Sequence, residues 1–483
     1  MRLENSVAVI KYLIASILVG VILGIGGAFA AQGFRSGIVI ISNYAEKLFG
    51  QDPNFFFYLI TLSVALILVH YSRSLVNGKP FQSVADSIYL AHKSNNETDL
   101  KVGFISTLAA FFSASGGASI GQYGPLVHFG TTLGAWLKKT VPFNFTPDLY
   151  IGAGVAASIS SGFGAPLAGL IFAHEAILRH YSHKSILAIA TASGISYAVS
   201  TGIWGDTNII NVSSENFNLL LMLVISFLAG PIFGLIAIIY MKSLLLFANL
   251  ANSSKISVFY KYSFCILSLS IIGHFMPEVM GLGTETVSGI LYSSYTLIFL
   301  VIILLGKIIA TSISLNFGFF GGVFSPAILV GAAAGAVVSA FLVKLGIFED
   351  FQQALVISGI AAVAGAVIGA PICMVIIVLE LTNSYAYALA SLVGLAISVG
   401  YVQVRFGSSY FDVQLLNRGI DISDGRTGLF MTETDILRFA DPNFNTIKES
   451  ETVADAISLM SKIDQSELIV VNQSGEFVGK TNS

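Results

Sequence analysis

The hydrophobic pattern of this chain is dominated by long stretches without a single Asp, Glu, Lys or Arg. Ten of these stretches contain 20 or more residues, and all ten end before residue 406. About 20 apolar residues let a helix cross a bilayer, whereas membrane strands alternate over about ten. The pattern therefore predicts an all-α polytopic membrane protein. The stretches are 12–34, 53–72, 102–137, 149–174, 185–205, 216–241, 286–306, 308–343, 351–379 and 381–404.

The sequence changes character at residue 421. About a quarter of residues 421–483 are charged, compared with fewer than a tenth of residues 1–420. Apolar spacing predicts a helix over Thr446–Met460, and Leu468–Val471 is typical of a strand followed by a turn at Asn472–Gly475. We therefore predict a membrane domain, 1–420, and a short soluble α/β tail.

Composition narrows the function classes. The chain is 55% hydrophobic and only 11% charged, against roughly 25% charged for a soluble protein. The net charge of −3 shows no basic excess, which argues against a nucleic-acid partner. Cys265 and Cys373 both lie in apolar runs, and two cysteines make neither a disulfide framework nor a metal cluster.

One sequence unit occurs twice, which divides the membrane domain into halves at about 10–205 and 216–420. Recurring small residues are common in membrane helix packing, but here one offset also carries a rare intramembrane Glu. Duplicated halves with broken helices often place a transport site between them. Gly154, Gly164, Pro166 and Glu175 recur 205 residues later as Gly359, Gly369, Pro371 and Glu380, and Pro125, Gly130 and Gly134 recur 201 residues later as Pro326, Gly331 and Gly335.

Three segments predict helices that start inside the membrane. Ser119–Pro125 and Gly318–Pro326 interrupt the two 36-residue stretches with glycines followed by a proline, and Asn77–Pro80 has the same form, with a helical pattern from Phe81. Proline favours the first turn of a helix, whose free N–H groups and positive dipole end suit an anion that glycine lets approach. We infer anion passage.

These segments, in this order and with this duplication, resemble the CLC family of chloride channels and chloride/proton exchangers over about residues 10–420, and the tail resembles the first part of a CBS domain. Asn77–Pro80 corresponds to the family's GSGIP motif, with Val76 in place of its first glycine. Gly121–Pro125 corresponds to GREGP and Gly321–Pro326 to GGIFAP. Ser409–Ile420 corresponds to the closing motif that carries the pore tyrosine.

The resemblance implies a homodimer with one pore per subunit, two inverted halves in each subunit, chloride or other small anions as the permeant species, and no cofactor. Asn77 would replace the family's serine hydroxyl, since an amide NH₂ can also donate to an anion. The implied chloride-binding residues are Asn77, Gly78, Gln122, Tyr123, Gly124, Val323, Phe324, Ser325, Tyr410 and Phe411.

Two departures from the family pattern concern proton transfer. Tyr123 stands where the family has its gating glutamate, and a tyrosine, with a pKa of about 10, stays neutral where a carboxylate would block the pore or carry a proton. Tyr123 could instead be an interfacial aromatic residue. Glu175 aligns with the first of two adjacent family acids, whereas Ala176 aligns with the second, the internal proton-transfer acid of the exchangers.

The pore tyrosine of the family aligns with Phe411, although a shift of one residue would restore Tyr410. If Phe411 is the match, Tyr123 could supply a hydroxyl from the outer side. Lys79 either draws anions electrostatically or extends its ammonium group to the surface. Glu175 and Glu380 suit a functional and a structural role about equally. His128 is either a packed histidine or a proton relay.

A membrane metalloenzyme is the remote alternative, because His174 and Glu175 begin an HExxH-like pattern. The second histidine is missing, since Leu178 stands at its position, and His180 falls on another helix face. We therefore predict no enzyme activity.

We predict that the protein is a passive chloride-selective channel without proton coupling. The alternative is a chloride/proton antiporter that uses Glu175, His128 or water. The connections with Lys93 and Lys101 and with Arg179 and Lys184 are basic, whereas Gly205–Phe217 is acidic. The basic connections and the tail are therefore predicted to be cytoplasmic in a multi-pass cell-membrane protein.

Overall fold

In the computed structural model, the chain forms two compact units, Met1–Leu429 and Phe430–Ser483. The first is helical and the second contains a small sheet. The structure describes residues 2–50, 54–93, 98–141, 143–205, 212, 217–292, 295–346, 351–438, 444–463 and 466–482.

Long apolar helices make up the first unit, as the uncharged stretches predict. Within the described residues, eight helices are long and apolar enough to cross a membrane. A π-helical turn, Ala173–Leu178, continues α7, and 3₁₀ turns cover Pro277–Val279 and, in the second unit, Ile436–Arg438. Along the chain the helices are α1 (Arg2–Phe49), α2 (Phe55–Leu75), α3 (Val84–His92), α4 (Leu100–Ser115), α5 (Tyr123–Thr140), α6 (Pro147–Phe163), α7 (Pro166–Phe172), α8 (Ile186–Trp204), α9 (Leu219–Ser253), α10 (Val258–Phe275), α11 (Thr284–Leu291), α12 (Leu297–Phe317), α13 (Phe324–Lys344), α14 (Gln352–Ile368), α15 (Pro371–Thr382), α16 (Tyr385–Arg405), α17 (Tyr410–Leu416) and α18 (Gly425–Glu433).

Both 36-residue stretches are broken at the predicted glycines. The first break separates α4 from α5, and the second separates α12 from α13. Each new helix begins two residues before its proline, so that Pro125 and Pro326 occupy the third helical position rather than the first. The proline still costs nothing there, because no N–H of the first turn has an acceptor within its own helix.

The duplication is confirmed as an inverted repeat of eight helices, α1–α8 and α9–α16. Helix α1 packs on α8 as α9 packs on α16, and α5 packs on α6 as α13 packs on α14. At the centre, Gly121 and Gly322 pair as an isolated antiparallel bridge. These two glycines are repeat equivalents, so the halves run in opposite directions through their point of contact.

Glycines let the paired helices approach closely at equivalent places in both halves. A Cβ atom on Gly130 would overlap the carbonyl oxygen of Gly154, and one on Gly331 would overlap that of Gly359. Gly134 meets the Tyr150 carbonyl of α6 in the same way. Backbone rather than a movable side chain fills the space, so no larger residue fits without displacing a helix.

The second unit is a small α/β fold. Strands β1 (Thr446–Lys448) and β2 (Glu467–Val471) are parallel, β3 (Phe477–Asn482) is antiparallel to β2, and helix α19 (Val453–Ile463) joins β1 to β2. The strand and turn predicted after Leu468 are confirmed. The helix predicted from Thr446 begins only at Val453, because residues 446–448 pair with β2 instead.

The division between the units lies later than the rise in charge at residue 421. Ile422 and Leu429 are buried, and the Arg426 guanidinium lies 3.3 Å from Asp148 of α6. These contacts hold residues 421–429 against the helical unit although their composition is that of a soluble segment.

Gly134→Ala is expected to destabilise the protein, because the new methyl group would overlap the Tyr150 carbonyl. Gly33→Ala, in α1, is the matched control, since nothing lies within 4 Å of its Cβ position. Replacing glycine by alanine inside a helix otherwise stabilises by about 1 kcal/mol. Thermal unfolding in detergent should give a lower midpoint for Gly134→Ala and an equal or higher one for Gly33→Ala. Equal midpoints in both variants would contradict the close helix approach.

Candidate anion site

The starts of α5 and α13 meet near the middle of the first unit. The Gly121 N–H donates to the Gly322 carbonyl at 2.7 Å, and the Gly322 N–H donates back at 2.8 Å. The Gln122 N–H donates to the Ser325 hydroxyl at 3.2 Å. Neither helix start has a side-chain cap. Two positive helix ends therefore lie side by side with first-turn N–H groups that have no acceptor in their own helix.

A cavity of about 140 Å³ lies against these helix starts, and we call it the inner cavity. It has room for several water-sized groups. Among its described lining residues none is Asp or Glu, and one, Arg418, is basic. The lining residues are Phe81, Gln82, Ser83, Val84, Gly124, Pro125, Leu315, Asn316, Phe320, Gly321, Gly322, Val323, Tyr410, Phe411, Gln414 and Arg418.

A second cavity, of about 30 Å³, also touches the helix starts, and we call it the tyrosine cavity. Tyr123 and Ser325 line it, whereas Gly124 and Val323 line the inner cavity. The starts of α5 and α13 therefore stand between the two spaces. The described lining of the tyrosine cavity is mostly apolar and includes no carboxylate.

Tyr123 is held in an aromatic cluster. Its ring stacks on Phe163 at a centroid distance of 3.6 Å, and Phe324 meets it edge-on at 5.5 Å. The side chain is 1% exposed. Phe324 comes from the start of α13, so this cluster also joins the two helix starts. An interfacial position for Tyr123 is wrong, because the residue is buried against the opposite half of the repeat.

Tyr410 and Phe411 both line the inner cavity. Each is 6% exposed, at the start of α17. The Gln414 amide donates to the Tyr410 hydroxyl at 3.2 Å, so the hydroxyl proton of Tyr410 can turn to another acceptor. The sequence left open whether Tyr410 or Phe411 lines the pathway, and in the structure both side chains line the inner cavity. Tyr410 supplies a hydroxyl group to this lining.

The structure does not bring Asn77 and Gly78 to the cavities. Both are exposed in the turn after α2, where they have positive φ angles of 54° and 72°. The helix predicted from Phe81 begins at Val84, so the residues that reach the inner cavity are Phe81, Gln82 and Ser83. Sequence comparison missed Gln82 because the Gly-Lys-Pro spacing placed the helix start too early.

Lys79 is also remote from the cavities described. Its ammonium group lies 2.7 Å from the Asp99 carboxylate, and both side chains are well exposed. This hydrogen bond holds the pKa of Asp99 below its ordinary value. The lysine charge is therefore balanced locally by a loop carboxylate.

The start of α3 differs from those of α5 and α13 because it carries its own carboxylate. Asp86 accepts the Ser83 N–H at 2.7 Å and the Ser83 hydroxyl at 3.1 Å, which completes a capping box. Arg418 donates to the other oxygen of Asp86 at 2.8 Å. Of the three predicted anion-binding helix starts, only two are therefore open.

Glu175 and Glu380 cap helices in the opposite repeat. Glu175 accepts the N–H groups of Ile372 and Cys373 at 2.9 and 2.7 Å, at the start of α15. Glu380 accepts those of Leu167 and Ala168, both at 2.8 Å, at the start of α7. The two carboxylates thus accept from equivalent first-turn donors across the pseudo-two-fold axis, which favours the structural interpretation of both acids.

Ala176 is buried in the π-helical turn after Glu175. Arg179 and Asn383 both have positive φ and end the equivalent helices, but the first half has one more residue between its glutamate and this end. The wide π-helical turn absorbs the extra residue. A small apolar side chain thus occupies the position at which the family resemblance predicts the internal acid of the exchangers.

His128 and His174 each have a contact close in the fold. His128 is 2% exposed on α5 and contacts Ser87 and Gln82. His174 Nδ1 contacts the Leu170 carbonyl at 3.0 Å. Among the described residues, no three His, Cys, Asp or Glu side chains are grouped to hold a metal ion, and Cys265 and Cys373 are both free and buried.

Known proteins resemble this chain in sequence and in fold. The family model described as voltage gated chloride channel matches residues 61–403. An uncharacterized protein of Methanocaldococcus jannaschii is 25% identical over 83% of this chain and 94% of its own length. The H(+)/Cl(−) exchange transporter ClcA of Vibrio parahaemolyticus is 26% identical over 66% of this chain and 69% of its own length. The crystal structure of a slow cyanobacterial Cl−/H+ antiporter has the same fold, with a TM-score of 0.73 and 20% sequence identity. The match covers 84% of this chain and 98% of the antiporter chain.

Removing either capping carboxylate is expected to destabilise the protein by a similar amount. Glu175→Ala and Glu380→Ala each remove the acceptor of two first-turn N–H groups, one exposed and one part-buried, and a hydrogen bond to a charged group contributes about 1.5–3 kcal/mol. Glutamine keeps one acceptor oxygen, so Glu175→Gln and Glu380→Gln should fall between the alanine variants and the parent. Thermal unfolding in detergent checks the order. An undiminished midpoint in one alanine variant would contradict the reciprocal capping.

Proposed function

We propose that this chain, which belongs to the family of voltage gated chloride channels, is a passive chloride-selective channel without proton coupling. Chloride is the permeant ion and the family needs no cofactor. The observation that carries the proposal is the junction of α5 and α13, where two uncapped helix starts lie between cavities that no described carboxylate lines. As a transport protein, the chain is proposed to have no enzyme activity.

The junction of α5 and α13 is suited to binding a partly dehydrated anion. Backbone N–H groups at each helix start can take the place of water donors, and each helix end contributes on the order of 0.3–2 kcal/mol. Two such ends, with Ser325 and Tyr410 hydroxyls nearby, give a moderate attraction. Conduction needs moderate attraction, because an ion that is held too tightly does not leave.

Residues at two positions support the absence of proton coupling. Tyr123 takes the place of the gating carboxylate and is buried among Phe163 and Phe324, so it is neutral and lacks a carboxylate's ability to mimic chloride. Ala176 takes the place of the internal proton acid. Its neighbour Glu175 is engaged with the backbone of α15, which favours a structural rather than a proton-carrying role.

A chloride/proton antiporter is the second candidate. The observation that favours it is that several curated relatives and solved structures that resemble this chain are named as proton-coupled exchangers. Coupling in this chain would need an unusual route through Glu175, His128 or water. The electrical measurement below separates the two candidates.

We further propose that Arg179 and the tail are cytoplasmic. Arg179 pairs with Asp412 of α17, Arg418 pairs with Asp86, and Arg426 pairs with Asp148. The Arg179 pair ties one basic connection to the region where the chain leaves the membrane domain, and the other two pairs hold that region against α3 and α6. The positive-inside rule favours the cytoplasm for a basic connection. The family resemblance leads us to propose a homodimer in the cell membrane and a partial CBS-like fold for the tail.

A pH gradient should leave the chloride reversal potential unchanged. We expect this because a passive pore moves chloride alone. The full chain is reconstituted in liposomes with a fixed chloride gradient, and the reversal potential is measured with and without a transmembrane pH difference. Protein-free liposomes give the background leak. A systematic shift towards the proton equilibrium potential would establish the antiporter and exclude the channel.

Tyr123→Glu should introduce a block that depends on pH. An ionised carboxylate competes with chloride for the N–H groups of the helix starts, and hydrogen bonds to charged groups contribute about 1.5–3 kcal/mol. Chloride flux at neutral pH should therefore fall about tenfold or more, and it should recover as falling pH protonates the glutamate. Tyr123→Phe is the control and should show no such pH dependence. Chloride flux that is unchanged in both variants would show that Tyr123 lies outside the ion pathway.

A further inference from the structure

A groove of about 500 Å³ runs between α2 and α10, and we call it the α2–α10 groove. The two helices are antiparallel, since Tyr58 packs on Gly273 and His70 contacts Tyr262 at 3.3 Å. Both helices are long and apolar enough to cross a membrane. The groove lies on their outer side, where the wall residue Ile67 is 67% exposed. It is therefore open to lipid.

One end of this groove lies at the edge of the membrane. Beside His70, the side chains of Tyr71 and Tyr260 are more than half exposed, and tyrosines collect where a membrane meets water. Helix α2 ends soon afterwards, at Leu75, and α10 begins at Val258. This end of the groove is therefore level with lipid headgroups, and the rest lies at the depth of acyl chains.

The same end of the groove is basic. Arg73 lies in the last turn of α2, Lys261 in the first turn of α10, and Lys255 three residues before α10. Neither residues 53–85 nor residues 216–277, which include the two helices, contain an Asp or a Glu. Basic residues at a membrane surface attract anionic lipids. The charge of this end therefore complements an anionic headgroup.

Gly318 holds Arg73 beside the floor of the groove. The Arg73 guanidinium donates to the Gly318 carbonyl at 3.3 Å. A Cβ atom on the same glycine would lie 2.8 Å from Leu66 and 3.1 Å from Tyr262, which both line the groove. Gly318 is the first residue of the break between α12 and α13. A ligand in the groove would therefore brace the segment that leads to the start of α13.

We propose that the α2–α10 groove binds one anionic phospholipid. An acyl chain lies along the apolar walls, and the headgroup phosphate pairs with Arg73, Lys255 and Lys261. A guanidinium has five N–H donors, so Arg73 can contact a phosphate while it keeps its bond to Gly318. This inference goes beyond the proposed function and does not depend on it, because lipid binding needs no anion flux.

The first test compares ligands that have only part of the proposed chemistry. The purified full chain in detergent is titrated with phosphatidylglycerol that carries an environment-sensitive fluorophore on one acyl chain. Unlabelled phosphatidylglycerol should displace this probe about tenfold better than phosphatidylcholine with the same chains, and glycerol phosphate should not displace it. Equal displacement by the two lipids would overturn the pairing with the basic end. Displacement by glycerol phosphate would overturn the role of the groove.

The second test places substitutions in the groove and at its basic end. Ile67→Trp fills the groove and should weaken probe binding about tenfold or more. Leu228→Trp is its control, because Leu228 is a similarly exposed residue of α9. The double variant Lys255→Gln/Lys261→Gln should weaken phosphatidylglycerol binding about tenfold and remove its advantage over phosphatidylcholine. Lys344→Gln, at an exposed lysine in the last turn of α13, is the charge control.

Both control variants should bind the probe as the parent does. Binding that is unchanged in Ile67→Trp would show that the lipid lies elsewhere, and an unchanged lipid preference in the lysine double variant would overturn the phosphate pairing. If the double variant does not fold, Lys255→Gln decides the same point, because Lys255 is exposed in a connection.

Thermal unfolding gives an independent measurement. A ligand that binds only the folded state stabilises it, so phosphatidylglycerol should raise the unfolding midpoint of the parent and of Leu228→Trp but not that of Ile67→Trp. An equal rise in all three would contradict the site. A parent that binds the lipid and carries no chloride would refute the proposed function alone, whereas a parent that carries chloride and binds no probe would refute this inference alone.

Discussion

Every helix that starts inside a membrane leaves backbone N–H groups that must find a partner without water. This chain meets the requirement in two ways. At α7, α15 and α3 a carboxylate supplies the acceptor, from Glu380, Glu175 and Asp86 respectively. At α5 and α13 no side chain caps the helix. The capped starts are closed by the protein itself, whereas the two open starts are the places where a mobile anion can complete the hydrogen bonding.

The duplicated architecture explains why the two open starts meet. Equivalent residues Gly121 and Gly322 exchange backbone hydrogen bonds across the pseudo-two-fold axis, and their missing side chains allow the contact. The same symmetry places Glu175 and Glu380 in each other's halves as caps. Inverted repetition thus produces one central pair of open ends and a separate pair of closed ones. Tyr123, Phe163 and Phe324 seal one side of the junction, and the inner cavity opens on the other.

Much of this arrangement could be predicted from the sequence. The uncharged stretches gave the helices, the glycine–proline segments gave the breaks before Tyr123 and Phe324, and the shared offsets gave the repeat. The start of α3 was misplaced because Asn77–Pro80 imitates a helix-starting segment, whereas Ser83 and Asp86 form the true cap. The role of Glu175 depends on partners far away in sequence, Ile372 and Cys373, and pattern alone cannot identify such pairs.

We propose that a partly dehydrated anion binds where the uncapped starts of α5 and α13 meet. Crystals of the protein grown with bromide in place of chloride would locate the ion by its anomalous scattering. We predict a bromide peak within hydrogen-bonding distance of the first backbone N–H groups of α5 or α13, beside Gly124 and Val323. Anomalous peaks confined to the protein surface, with none at this junction, would show that no anion binds there.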